Sequence, residues 1–392
     1  MQNILPINDH FKQETITLLR RLIGIQSSNP PGNEDRIAAF AKAYLSQHGI
    51  EAIRVPLEKG RSSLVARIPG EEKGSIILCG HLDTVSTDEN KWRHAPLEAH
   101  IKDNRLSGFG AADMKGGLAA IMEIAVQIVR QNVVPARDLV LVLSADEERA
   151  YRGAATVVAS GLINDAELLI IAEPTAGHVY TGQKGELWVK ITFNGQAAHG
   201  SMPELGVNTI MPAAAFCGRL HETAQSFPVV PGRGRTSLNI GQFNGGWQVN
   251  IVPDTTCVRL DFRVVSDKER EHILSLVKSL AQEEAAKVGA TIESKTFNYQ
   301  PLIASDANNP HIQRFFTAFT EVTGRKPKSE IAPYSTDAVS IVPVLDIPVI
   351  IYGPGDIAQA HQPDEYLTLD SLYEALGVFA RFLDPGNHKK TD

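Results

Sequence analysis

Cysteine is scarce in this chain, with three in 392 residues. Cys79, Cys217 and Cys257 are odd in number, far apart and set in apolar surroundings, which excludes a disulfide framework and leaves no paired zinc-ligand spacing. Excess positive charge is also lacking. The net charge of -7 argues against a nucleic-acid backbone or an acidic membrane as the main partner. No apolar stretch approaches the roughly 18 residues that a bilayer span needs, and Met1 to Arg21 lack a basic-then-apolar leader pattern, so the expected location is the cytoplasm. Internal repeats and low-complexity tracts are missing as well. With hydrophobic residues at 43% and charged residues at 21%, disordered and fibrous classes are excluded, and the length suits two domains.

What is present is organised around Ile76 to Val85, Ile-Ile-Leu-Cys-Gly-His-Leu-Asp-Thr-Val, an apolar run that ends in a histidine and an aspartate two residues apart. The run predicts a buried strand of a parallel sheet. Side chains at i and i+2 share a face, so His81 and Asp83 are expected to project together from its C-terminal end, where ligands of open α/β sheets bind. Two further aliphatic strands end in acids: Asp138 to Ser144 runs into Ala145-Asp146-Glu147-Glu148, and Glu167 to Ala172 runs into Glu173-Pro174-Thr175. Before the first of these, the loop holding Asp113 leads into the apolar helix Leu118 to Val129.

Around these strands the chain alternates helix and strand, which predicts an α/β domain. Helices are expected over Glu14 to Ile23 and Glu34 to His48, the second closed by Gly49, with a strand over Ser63 to Ile68. After Pro174 the pattern changes. Strand Glu186 to Asn194, helix Val207 to Ala224, strands Thr236 to Gly241 and Thr255 to Val264, helix Lys268 to Val288 and strand Thr291 to Phe297 follow in the order β-α-β-β-α-β. This is the order of a ferredoxin-like split βαβ sandwich, expected as an inserted domain over 182–297. Helix Pro310 to Thr323, strand Pro348 to Tyr352 and helix Ser371 to Leu383 then return to αβ material, so the first domain, 1–181 and 298–392, is expected to be discontinuous.

The strand-end and loop groups are His81, Asp83, Asp113, Glu147, Glu148, Glu173 and His361. Two histidines with several carboxylates form the ligand set of a site for two borderline cations, with imidazole favouring zinc and one carboxylate able to bridge. One further carboxylate would be left over as a base.

At these residues the chain resembles the M20 family of metallopeptidases and deacylases, the group of acetylornithine deacetylase, succinyl-diaminopimelate desuccinylase and aminoacylase-1. The resemblance covers essentially the whole chain. It is carried by Ser28-Asn29-Pro30-Pro31-Gly32, Gly80-His81-Leu82-Asp83-Thr84, Ala112-Asp113-Met114-Lys115-Gly116-Gly117, Asp146-Glu147-Glu148, Ala172-Glu173-Pro174-Thr175 and Ala360-His361-Gln362-Pro363-Asp364-Glu365. It implies a zinc-hydrolase catalytic domain whose inserted domain serves as lid and dimerisation module. His81 and Glu173 would hold one zinc, His361 and Glu148 the other, and Asp113 would bridge them, with Co2+ or Mn2+ as alternative metals. The Asp113-Met114 peptide would be cis. Asp83 would accept a hydrogen bond from His81 and fix its tautomer, and Glu147 would be the general base. In Asn194-Gly195-Gln196-Ala197-Ala198-His199-Gly200-Ser201, His199 would reach the active site of a partner subunit and stabilise the oxyanion. Asn250 and Arg263 match positions that contact a substrate carboxylate, for which an arginine fork is suited. Gly353 and Gly355 would let a substrate approach the backbone.

The expected reaction is removal of an N-acyl group, acetyl, succinyl or similar, from an amino acid or related amine. Glu at 173, which acylases and carboxypeptidases of this family usually carry where aminopeptidases and dipeptidases carry Asp, favours it over an aminopeptidase or dipeptidase, and a carboxypeptidase stays open as the alternative. The segment Pro333-Tyr334-Ser335-Thr336-Asp337-Ala338 departs from the glycine-rich loop of the desuccinylase, which keeps N-formyl or carbamoyl amines open as substrates. A non-catalytic binding homologue is disfavoured because all metal positions and the base are present. Gly108-Phe109-Gly110 fails as a dinucleotide motif, lacking a third glycine and a preceding aliphatic strand.

Overall fold

The computed structural model describes residues 5–385. It separates into two compact units, one of Met1–Gly182, Ala304–Glu330 and Thr336–Asp392, the other of Gln183–Ile303 with Ile331–Ser335.

In the first unit a mixed sheet is built on four mutually parallel strands, in the order Arg137–Ser144, Glu72–His81, Ala166–Ile171 and Val349–Ile351. Their sequences are nearly all aliphatic because helices cover a sheet of this kind on its faces. Register aligns the C-terminal ends: His81 lies beside Ser144, Cys79 beside Ile171, and Ile351 beside Ile171. Whatever follows each strand therefore emerges on one edge. Two antiparallel strands, Arg61–Ile68 and the outer Ala52–Glu58, complete one side. The helix Gly116–Arg130 is buried along almost its whole length, packing on helices Asp9–Ile23 and Leu369–Leu383. Its alanines and glycines permit that close approach, and a cluster of Phe315, Phe319, Tyr352, Phe379 and Phe382 fills the space beside it.

The second unit is a four-stranded antiparallel sheet in the order Ser237–Gly245, Thr255–Val264, Gly185–Asn194, Thr291–Gln300, with helices Ile210–Gln225 and Asp267–Ala286. Alternate residues Leu187, Val189 and Ile191 pair across the strands with Phe262, Leu260 and Val258, and with Phe193 they are buried among Phe216, Leu220, Ile273 and Val277. This is the β-α-β-β-α-β order expected for an inserted domain. Its limits differ from the sequence reading. The last strand runs on through Gln300 past a bulge at Thr296/Asn298, and Ile331–Ser335 joins the unit through bonds from Lys184 N to Ala332 O and from Ile331 N to Gly232 O.

One element is placed differently. The central strand ends at His81, so Asp83 lies in the turn beyond it and does not share the face of His81 by strand alternation.

Candidate metal centre

His81 closes the central strand and is almost fully buried. Its Nδ1 lies 2.8 Å from the backbone carbonyl of Asp83, and since a carbonyl only accepts, the ring donates there. The carboxylate of Asp83 is farther off, at 3.8 Å from Nδ1. The expected imidazole–carboxylate bond is thus replaced by a bond to the carbonyl of the same residue. With Nδ1 carrying the hydrogen, Nε2 of a neutral ring turns its lone pair toward Asp113 Oδ1 at 3.0 Å and Glu173 Oε1 at 3.7 Å. Two acceptors that close require a proton or a cation. Burial disfavours protonation of His81, but the facing Asp113 and the charges of Glu173 and Glu147 outweigh it and hold the imidazole well above its usual range.

Asp113 stands in the kink before helix Gly116–Arg130, at φ -119° and ψ 95°, and the Asp113-Met114 peptide is cis. Its other oxygen, Oδ2, is 3.4 Å from His361 Nε2, and His361 is also 3.2 Å from Glu148 Oε2. His361 sits in a left-handed backbone conformation, φ 61°, in the loop before strand Tyr366–Thr368. Its imidazole is pushed up to about 10 by hydrogen bonds to Asp113 and Glu148. Glu147 is buried with an oxygen 4.0 Å from His81 Nε2; burial, only partly offset by His81, holds its carboxyl well above the ordinary range. Glu173, directly after the strand Ala166–Ile171 and Ala172, is shifted the same way by burial and by Asp113.

The structure therefore brings together His81, Asp113, Glu147, Glu148, Glu173 and His361. Ligand atoms of His81, Asp113 and Glu148 lie within 4.8 Å of one another. Several buried carboxylates facing two imidazoles leave excess negative charge that a dry interior tolerates only against cations. Hard oxygen with imidazole nitrogen is a donor set that suits zinc and neighbouring divalent ions. The residues fit a metal centre.

Asp83 has a different task. Its carboxylate accepts the backbone N–H groups of Glu147 (3.1 Å) and Glu148 (3.2 Å), capping the short helix Glu147–Ala150 from a distant part of the chain. Two further residues carry signals that sequence reading passed over. Glu365, part of the His361 motif, is buried and accepts the N–H groups of Gly110 (2.9 Å), Ala112 (2.8 Å) and Asp113 (2.9 Å), so it fixes the Asp113 loop. Asp337 is buried beneath the strand ends, accepting from Ser144 Oγ and lying 3.8 Å from Cys79 Sγ; burial pushes its carboxyl up to about 6.

The remaining expected residues behave unevenly. A Cβ on Gly353 would lie 2.3 Å from the carbonyl oxygen of Ala172, so packing against the neighbouring strand end already requires a glycine there. Gly355 adopts φ 92°. In the second unit His199 is exposed, its Nδ1 2.7 Å from Ser201 Oγ, and exposed Asn250 accepts Gly200 N–H through its backbone oxygen at 2.7 Å. Arg263 is not a free fork: it pairs with buried Glu186 at 2.6 Å and with Asp261 at 3.1 Å.

The model of Peptidase family M20/M25/M40 matches residues 77–384. The chain belongs to that family. As an M20 member it is a metal-dependent hydrolase of amide bonds. Among similar sequences are a probable succinyl-diaminopimelate desuccinylase of Staphylococcus epidermidis, 29% identical with 94% of this chain and 96% of the relative covered, and an acetylornithine deacetylase of Photorhabdus laumondii, also 29% identical at the same coverage. A tripeptidase from Staphylococcus aureus shares the M20 fold with a TM-score of 0.82 at 22% identity, covering 96% of this chain and 99% of that one. A dinuclear metal-binding M20 peptidase from Bacillus subtilis gives 0.73 at 18%, covering 97% and 99%. Among the described residues no helix is long and apolar enough to cross a membrane.

Proposed function

We propose that this M20 hydrolase is a two-metal deacylase that removes an N-acyl group, such as acetyl or succinyl, from an amino acid or related amine. The observation that carries the proposal is Asp113, whose two oxygens face two different imidazoles, Oδ1 toward His81 and Oδ2 toward His361. A carboxylate so placed suits two ligand sets that share it: His81 with Glu173 and His361 with Glu148. The chemistry that divalent ions, zinc foremost, supply when bound there is polarisation of an amide carbonyl and acidification of water.

The chain's own residues do the rest. Glu147, buried and held by the Asp83 cap, is the carboxylate left over from the ligand sets; it takes a proton from water and delivers it to the departing nitrogen. His81 is oriented by its bond to the Asp83 carbonyl, and Asp113 by the Glu365 cradle. In this reading the homodimer that the family resemblance implies presents His199 to the carbonyl oxygen of the substrate. Arg263, already neutralised by two carboxylates, has no place in it as a substrate anchor. The N-acyl class is supported by the names of the two sequence relatives, and Glu at 173 speaks against an aminopeptidase or dipeptidase.

The test is hydrolysis by the zinc-loaded protein across N-acetyl, N-succinyl and N-formyl amino acids beside di- and tripeptides. Rapid, EDTA-sensitive release from one N-acyl class is expected. Turnover confined to free peptides would replace the deacylase reading by a peptidase one.

A further inference from the structure

The motif Ser28-Asn29-Pro30-Pro31-Gly32 has no place in the chemistry above, yet it lies against the residues that perform it. Asn29 is buried, and its side-chain amide nitrogen is 2.9 Å from Asp83 Oδ2 and 2.9 Å from Asp146 Oδ1. Carboxylates only accept, so both amide hydrogens are spent, one on each acid. The backbone of Asn29 is pinned as well, its N–H donating to Thr84 O at 2.7 Å. On the far side of Asp146 stands Arg61, which is 5% exposed. Its Nη2 donates to the same Asp146 Oδ1 at 2.7 Å, and its Nε donates to fully buried Glu34 at 2.8 Å. Glu34 in turn accepts the backbone N–H of Asp146 at 3.2 Å. Gly32 completes the arrangement: a Cβ there would fall 2.3 Å from Arg61 Nε, so only glycine leaves room for the guanidinium.

We propose that Asn29 and Arg61 are positioning residues, which hold Asp83 and Asp146 so that the backbone turn Asp146-Glu147-Glu148 presents one carboxylate as base and the next as metal ligand. The inference rests on the functional reading above. The geometry is sequential. Arg61 and Glu34 fix Asp146 at the entrance of the turn, where the backbone is left-handed at φ 63°. Asn29 ties Asp146 to Asp83, and Asp83 caps the N–H groups of Glu147 and Glu148. Through its carbonyl Asp83 also orients His81. Displacing the amide would therefore move a ligand from each set and the base together, without touching any of them directly. Without the amide hydrogens, Asp83 loses a buried donor, and Asp146 loses one of the three that hold it, the others being Arg61 and Arg152.

The experiment compares the full-length wild-type chain with Asn29→Ala, Arg61→Lys, their double variant and Tyr44→Phe. The last removes the bond from Tyr44 to buried Glu123, at 2.5 Å, in the helical layer. Zn2+ affinity is read by competition with a chromophoric chelator, kcat and KM on the best N-acyl substrate, and folding by circular dichroism. Residues in this supporting role typically change metal affinity or activity by about 10- to 100-fold, and Asn29→Ala is expected to weaken Zn2+ binding and lower kcat in that range with KM little changed. Arg61→Lys keeps the charge but loses the fork, so it should weaken Zn2+ binding less, and the double variant should be worse than Asn29→Ala by less than the Arg61→Lys effect alone, because both donate to Asp146. Tyr44→Phe should lower the melting temperature and leave Zn2+ affinity alone. Wild-type Zn2+ affinity and kcat in a folded Asn29→Ala would overturn the proposal; if that variant does not fold, unchanged Zn2+ affinity in Arg61→Lys overturns it equally. Failure of the wild-type chain itself to bind Zn2+ would overturn the functional reading and this inference with it.

Discussion

At the scale of single residues, roles separate by what each carboxylate touches. Glu148 approaches His361 at 3.2 Å, whereas Glu147, its neighbour in sequence, comes no nearer than 4.0 Å to His81. Consecutive residues at a helix start point in different directions, so one can serve as ligand and the other as base. Glu147→Gln keeps shape and hydrogen-bonding reach but cannot accept a proton. Turnover is expected to fall by about 100- to 10,000-fold with metal content retained, as read by steady-state rates and elemental analysis of the same sample. His81→Ala removes a ligand, and the same two measurements should show metal content falling with activity. Metal lost from Glu147→Gln, or kept in full by His81→Ala, would reverse the assignment.

Among elements, the position of Glu173 depends on how the end of strand Ala166–Ile171 is wedged. The carbonyl oxygen of Ala172 would lie 2.0 Å from a Cβ on Gly117 and 2.3 Å from one on Gly353, so a helix start and the end of a neighbouring strand both close on it. Gly353→Ala gains roughly 0.4–1 kcal/mol by restricting the unfolded chain. Overpacking against backbone costs about 1–3 kcal/mol, and the second effect wins. The variant is expected to melt a few degrees lower and to bind zinc more weakly, because Ala172 can yield only by carrying Glu173 with it; thermal melting and chelator competition check both. This dependence was not legible in the chain, since a glycine after a strand reads equally as open access to substrate. The acids at strand ends were legible, because aliphatic runs broken by polar groups mark parallel strands and their shared edge. Strand alternation gives the wrong face for Asp83 because the strand stops two residues short of it, at His81. The edge strand Ala52–Glu58 was missed, carrying Arg54 and Pro56 within an irregular pattern. The task of Asn29 is not legible from its motif, since its partners stand 54 and 117 residues away.

For the whole molecule, the metal reading predicts a stability that is unequal between the two units. The first unit gathers Asp83, Asp113, Glu147, Glu173 and Asp337 in a buried site, so in the absence of cations it carries like charges that oppose folding. The second unit has a separate apolar core, formed where Leu187, Val189 and Ile191 meet Phe216 and Ile273. Ligand that binds only the native state stabilises it by about 2.7 kcal/mol at a hundredfold excess over Kd, and the gain belongs to the unit that holds the ligand. Calorimetry of the full chain in EDTA and then in excess zinc is therefore expected to move one thermal transition upward and leave the other in place, the moving one carrying the larger enthalpy because enthalpy scales with the residues that unfold. The shift should vanish in His81→Ala. A transition that moved as a single unit would mean that the two cores unfold cooperatively, and a zinc shift that survived in His81→Ala would place the ion somewhere other than at the strand ends.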